Sequence, residues 1–430
     1  MSIINLLNKQ TGRVTLVAAC MVCVFSLAIN TASAGDREKA KFIHDRIAGV
    51  PPTNAVLTTM AANIAAGNTT AAVTTAMNNI NFLNVTAKNM VMPWTNKDST
   101  VFADFNDSAA TILGYIKDGK DFRGILFDDV IYVGVDPSLS AFPYSNSNNN
   151  HYIQMENRNL NLRNVLQQQV QSATTGRPAG ASAGVFTTRQ TARAFMYAGT
   201  NRAVLRFEML NYMCTDMNEI KDVTRVNNYV RRDASRSPGG DSDIFMNNCV
   251  GCHAGMDGMD RAYAYYTWGP NVFDNNLDPE TQSMLYQTTA VTYNVDGAPV
   301  ATPTRVTRKH RINASNFEYG WEVVDDSWVN YWRTGQNANL GWGLDPALTP
   351  SNTPQAPFSG SGAAALGREL ANTTAFTRCQ AIKVYRQVCL NDPTETTLNT
   401  LTTNFANSNY DLRTVFTDSV IDCMNSNPNL

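Results

Sequence analysis

The sequence predicts a mainly α fold, a chain of many helices joined by long irregular loops. Three observations carry this. Apolar residues recur at helical spacing in several separate stretches, as in Phe42, Ile43 and Ile47. Glycine and proline stand at the ends of those stretches, where they stop helices. Sustained two-residue alternation is confined to a weak pattern over residues 270–305.

The first helix is expected over 36–48, closed by Gly49 and the Pro51-Pro52 pair. A second runs from Thr53 to Ala66 and ends at Gly67, and a third covers 70–78. Residues 107–118 and 121–132 also read as helical, and 145–150 as a polar loop. Leu160, Leu162 and Val165 suit another helix; residues 171–184 are small and rich in turn formers. Helical spacing returns from Thr187 to Met213. Residues 236–240 form a turn, after which Asp241 or Ser242 can cap a short helix. Asp296-Gly297 predicts a hairpin between Val291 and Val300. Residues 344–363 read as a linker, and three or four helices follow to Asn425, with caps at Asp392 and Asp411. The expected regions are therefore 1–34, 35–145, 146–240, 241–345 and 346–430.

Residues 1–34 read as a secretory signal. Lys9 and Arg13 supply the positive start, an apolar run extends from Val14 to about Ala28, and Ala32-Ser33-Ala34 is a small-residue cleavage site. The mature chain would begin at Gly35. The run is short for a membrane span of ~20 residues. A lipobox-like Val17-Ala18-Ala19-Cys20 would leave almost no apolar region before its cysteine. With no later segment long and apolar enough to span, the expected location is the periplasm, the outer-membrane surface or the extracellular space. Charged residues make up 16% of the chain, the formal net charge is −2 and the pI about 6.1. No basic patch exists to neutralise phosphates, which argues against nucleic acid.

Six of the eight cysteines lie beyond the signal. Two of them sit in Cys249-Val250-Gly251-Cys252-His253, a C-x-x-C-H sequence, the attachment signal for one covalent haem c. Two thiols one helical turn apart can each add to a porphyrin vinyl group, and the next residue brings its imidazole to the iron as proximal ligand. A thiol–disulfide exchange pair is the first alternative, but it expects a strand before the motif, where this chain is polar and turn-rich. A structural zinc site would need a second Cys/His pair at suitable spacing.

For the other face of the iron, His310 is the favoured ligand. It lies far enough downstream to cross the haem edge, among Arg305, Arg308, Lys309 and Arg311, which could meet propionates. Met256 and Met259 follow His253 closely and would need a sharp wrap; His44, His151 and an open position are the other options. Tyr263, Tyr265, Tyr266 and Trp268 are expected to wall the haem, although ordinary core packing needs the same residues. Trp321, Trp328, Trp332 and Trp342 read as core. Cys214, Cys379, Cys389 and Cys423 remain as two disulfides. On one helix Cys379 and Cys389 would be ~15 Å apart, so the expected pairs are Cys379 with Cys423 and Cys214 with Cys389.

Several segments resemble the cytochrome-linked domain families first described in planctomycetes, and their proteobacterial relatives. The stretch from Cys249 through Met259 is similar to their Cys-x-x-Cys-His-x-x-(Ile/Met)-Asp-x-(Leu/Met) pattern. Arg46 to Pro52 resembles their opening Arg-x-x-Gly-x-Pro-Pro, and residues 179–188 a short segment of their middle domains. Residues 366–371 with Phe376, Cys379-Gln380 and Tyr410-Asp411-Leu412-Arg413 resemble their C-terminal helical domain. The resemblance implies a helical exported haem protein in electron transfer, with a redox partner protein or extracellular acceptor. A haem enzyme of peroxidase or oxygenase type with an open distal position, and a cell-surface structural protein carrying a haem, are the other readings.

Overall fold

A computed structural model describes residues 35–430 apart from 198, 270–281, 296–297, 300–301, 344–357 and 429. The signal reading, the Asp296-Gly297 turn and most of the 344–363 linker thus lie outside the described residues. Helix dominates, and strand among the described residues is confined to short two-stranded antiparallel sheets. None of the described helices is long and apolar enough to cross a membrane.

The chain forms two compact units. One comprises residues 35–86 with 416–430. Its helices are α1 (35–48), α2 (Asn54–Ala65), capped by the Thr53 hydroxyl, and α3 (Thr69–Met77), capped by the Asn68 side chain. The loop after α1 needs Gly49, whose φ is +72° and whose Cα faces Thr86 closely. Phe82 and Phe416 meet edge to face at 5.1 Å.

The other unit, residues 87–415, holds the C-x-x-C-H motif. Its first long helix, α4 (Asp107–Asp118), is capped by the Asn106 side chain and ends at Gly119 in the left-handed region. It is buried along most of its length, and β1 (Val130–Gly134) packs on it: Gly114 has no Cβ because the Tyr132 ring lies there. This corrects the expected helix over 121–132. Phe122–Leu126 is a 3-10 turn, and the β-branched run that follows pairs antiparallel with β2 (Leu166–Val170). The segment Thr187–Met213 is likewise broken into shorter helices at residues 189–195 and 202–208, with a π turn at Met209–Met213. Further on, β3 (Tyr266–Trp268) pairs with β4 (Met284–Tyr286), and the flanks of the expected hairpin do pair as β5 (Asn294–Val295) and β6 (Ala298–Pro299), Asn294 with Pro299 and Val295 with Ala298.

Towards the C-terminus, β7 (Ser327–Asn330) pairs with β8 (Phe358–Ser361), and the chain continues through a 3-10 turn, Tyr331–Arg333. That turn is fixed to the helix at Ala363–Ala371 by a buried ion pair, Arg333 with Glu369, to which the Asn330 amide also donates at 3.1 Å. The helix over Thr374–Cys389 carries both Cys379 and Cys389, as expected. It is followed by Glu395–Asn407, capped by Thr394 rather than Asp392, and by Leu412–Asn425, where Asp411 accepts from the Arg413 amide.

The disulfide pairing differs from expectation. Cys214 bonds Cys379, with Cα atoms 5.2 Å apart. Cys389 and Cys423 are also disulfide-bonded, so neither is the partner of Cys214 or Cys379. The reason lies in how the π turn runs along the front half of the Thr374–Cys389 helix. Gln380 donates to the Tyr212 carbonyl at 3.1 Å and Lys383 to the Asn211 carbonyl at 2.5 Å. Cys389 is ~9 Å further along the axis than Lys383. Replacing Cys214 and Cys379 together by alanine is expected to cost roughly 2–4 kcal/mol, read as a lowered denaturant midpoint.

Candidate functional site

The motif lies on a helix over Val250–Met259, preceded by a π turn at Phe245–Cys249. Asp241 caps the short helix leading into that turn, as the sequence predicts. Cys249 is the residue before the helix, and Cys252 and His253 lie in its first turn. Both thiols are free and partly exposed, while Cys214, Cys379, Cys389 and Cys423 are oxidised. Cys249 packs against Val230, Phe245, Val250 and Ala254, and the Cys252 Sγ lies 3.7 Å from the Met217 carbonyl oxygen. Burial pushes the Cys252 thiol pKa up. The Gly251 carbonyl accepts from the Asp222 amide at 3.0 Å, placing residues 221–223 beside the helix. Ile244, Met246, Val223 and Val226 are exposed apolar side chains in these same segments.

Glycine at 255 and 258 lets the helix approach the β7 strand. A Cβ on Gly255 would lie 2.0 Å from the Trp332 indole, and one on Gly258 would lie 2.7 Å from the Val329 carbonyl oxygen. Gly255→Ala is therefore expected to destabilise by roughly 1–3 kcal/mol, seen as a lowered melting temperature with or without any cofactor.

His253 is held from behind by Asp257, one turn along the same helix. Its Nδ1 lies 3.2 and 3.1 Å from the two carboxylate oxygens. Asp257 has no solvent exposure. It accepts from Arg202 at 2.7 and 2.8 Å and from the Arg231 amide at 3.0 Å. Burial opposes its ionisation, but the Arg202 guanidinium and the hydrogen bonds of Arg202 and His253 hold its pKa well below the usual carboxylate range. Arg202 also grips Asp233 at 2.6 and 2.7 Å. Asp260, buried behind this group and 3.4 Å from Arg231, is raised by burial to a pKa of about 7.

The structure gives every other histidine a different occupation. His44 uses Nδ1 on the Val50 carbonyl at 2.7 Å and Nε2 on Asn79 at 3.5 Å. His151 uses Nδ1 on the Phe142 carbonyl at 2.7 Å, and its Nε2 accepts from the Gly134 amide at 2.9 Å. His310 accepts from Arg231 at Nδ1, 2.7 Å, and donates from Nε2 to the Tyr263 carbonyl at 3.1 Å. Burial, then Arg231, hold the His310 pKa well below its ordinary value, so it is neutral. Through Arg231 it stands on the Asp257 side of His253. His310 is therefore not presented as a distal ligand, and neither His44 nor His151 replaces it. His253 alone keeps its Nε2 clear of hydrogen bonds from the described residues.

Met256 and Met259 are buried on the unbroken motif helix, which cannot wrap to the opposite side of a group bound at His253. The aromatic cluster is core. Tyr263 donates its hydroxyl to the buried Glu208, Tyr266 meets Tyr286 edge to face, Arg305 lies over Tyr265, and Arg189 over Trp268. Tyr265 packs with Ala264, Val306 and Val323, a cluster separate from the one that includes Cys249. Trp328, Trp332 and Trp342 are buried, as expected. Arg305 also bonds the Gln287 carbonyl, Arg311 pairs with Glu322, and Lys309 is wholly buried with its ammonium on the Met196 carbonyl, so these three do not converge as a propionate site. A polar cavity of about 500 Å³, lined among others by Lys97, Asp104, Arg193 and Tyr197, involves none of the expected site residues.

Burial lowers the Lys309 pKa from 10.5 to about 7. Between those values the unfolded chain holds a proton that the folded chain has released, so stability rises with pH across that window. Below about 7 both states hold it and the full cost of the buried charge is felt. Lys309→Met is expected to be more stable than the parent by up to about 5 kcal/mol at pH 6, an advantage that closes as the pH approaches 10.5 in thermal melts.

Sequence reading missed Arg202, Arg231, Asp233 and Trp332 as parts of the site. Asp257 was within reach, because an acid four residues after a histidine on a helix stands on the same face. Among the described residues no three His, Cys, Asp or Glu side chains are grouped to hold a metal ion. In comparisons with protein-family models, curated proteins and solved structures, the chain found no match.

Proposed function

We propose that the chain is an exported c-type haem protein that carries electrons through one covalently bound haem. One observation bears the weight of this reading. The two free thiols stand one helical turn apart, directly before the one histidine whose outer ring nitrogen meets no hydrogen bond from the described residues, while the other mature cysteines are oxidised. The donor set fits the group. Cys249 and Cys252 would each form a thioether by adding S–H across a vinyl group, sulfur to one carbon and hydrogen to the other. His253 Nε2 would ligate the iron, and Ile244, Met246, Val223 and Val226 offer apolar surface near the thiols. When bound, the haem supplies a reversible one-electron couple. The protein fixes the imidazole, keeps Asp257 ionised behind it and holds the motif helix in place from its opposite face with Trp332.

Residues 1–34 serve, on this reading, as the signal that delivers the chain to the oxidising compartment where haem is attached. The partner would be a redox protein or an extracellular acceptor, and the kinship proposed is with the planctomycete-type cytochrome-linked families. A second reading is favoured by the committed nitrogens of His44, His151 and His310: a haem enzyme with its sixth position open to small ligands.

Both are tested by producing the full chain in a host competent for cytochrome assembly. The expected intact mass is that of residues 35–430 plus one haem, with a pyridine haemochrome spectrum of the two-thioether type. Cys249→Ala with Cys252→Ala should abolish it. A folded parent chain without haem would refute the proposal. A low-spin spectrum unresponsive to cyanide would favour electron transfer, and a high-spin one that binds cyanide would favour the enzyme.

A further inference from the structure

We infer that Asp257 is a positioning residue that sets the redox character of the group held by His253, an inference that rests on the haem reading above. The argument begins with geometry. The His253 Nδ1 faces a carboxylate, at 3.2 and 3.1 Å, with neither a backbone carbonyl nor water needed to complete the contact. A carboxylate accepting the ring N–H fixes the tautomer, so the lone pair is on Nε2, pointing away from the helix. It also draws the proton towards itself and gives the imidazole anionic character, which strengthens it as a donor and favours the more highly charged, oxidised iron.

The surroundings keep that carboxylate ionised and immobile. Asp257 is wholly buried, its oxygens are shared among Arg202, the Arg231 amide and His253, and Arg202 is clamped from its other side by Asp233. Asp260 and His310, the other titratable groups facing Arg231, lie further back and do not touch His253. A purely structural Asp257 would need only its arginine and the amide. The third contact goes to the one histidine whose outer nitrogen meets no hydrogen bond from the described residues, so beyond the small stabilisation that an i,i+4 pair brings it acts on the nitrogen that would hold the iron.

The test compares the haem-loaded full chain with Asp257→Asn, which keeps the shape and an acceptor but removes the charge. Two readouts are taken: the reduction potential by spectroelectrochemical titration, and the iron–histidine stretch by resonance Raman on the five-coordinate ferrous form left after photolysis of the carbonyl complex. A more positive potential together with a lower stretching frequency in the variant supports the role. Haem attached in both proteins with neither quantity changed overturns it. If Asp257→Asn does not fold, the parent protein is compared with a haem-bearing peptide of residues 249–254, which lacks the carboxylate. A higher frequency in the protein supports the role, and equal frequencies overturn it. Failure of the parent chain to bind haem at all withdraws the haem reading, and this inference with it.

Discussion

A carboxylate cut off from water can exist only if something replaces the hydration it has lost, and Asp257 shows what that replacement requires. Two of its partners come from distant stretches of chain, Arg202 at the start of a helix and the Arg231 amide in a turn, and the third, His253, from its own helix, which makes the third stretch so joined. Breaking a buried pair of this kind costs several kcal/mol because the remaining charge stays buried. The three stretches are therefore bound to one arrangement, and the motif helix has one orientation. The thiols are presented where they are because the charge behind them admits no alternative placement.

The other side of the motif helix is held by shape rather than charge. Gly255 and Gly258 make room for Trp332 and the Val329 backbone, and Trp332 is in turn anchored through its neighbours, with Arg333 and Asn330 both on Glu369. A glycine inside a helix ordinarily costs about 1 kcal/mol relative to alanine. Here the loss is offset by close packing of an indole against the helix backbone.

The sequence made the helical class legible, along with α2, α3, α4 and the four C-terminal helices, because periodicity and caps are local signals. It misjudged residues 121–132, where the run Val130 to Val133 becomes a strand through pairing with residues 166–170, a partner that no local window contains. At the candidate site, spacing alone put the two thiols and His253 within about one helical turn of each other, which is how the chain holds them. The place of His310 was not readable in that way, because its ring nitrogens are occupied by Arg231 and Tyr263, contacts spanning 79 and 47 residues. The basic character of residues 305–311 invited a reading as an exposed anion site, whereas Lys309 is enclosed and Arg305 stacks on Tyr265. For the disulfides, the helix argument correctly kept Cys379 from Cys389 but could not reveal which face of that helix meets the Met209–Met213 turn.

The bond between Cys214 and Cys379 has a covalent consequence for everything between them. The motif helix, the residues behind His253 from Arg231 onward and the whole of β7 lie inside the ring it closes. A single protease cut anywhere in that ring would leave both fragments joined, and they would travel as one band until a reductant parted them. In an extracellular setting, where nicking is common and reductants scarce, a chain closed in this way outlasts its first cleavage as one connected molecule.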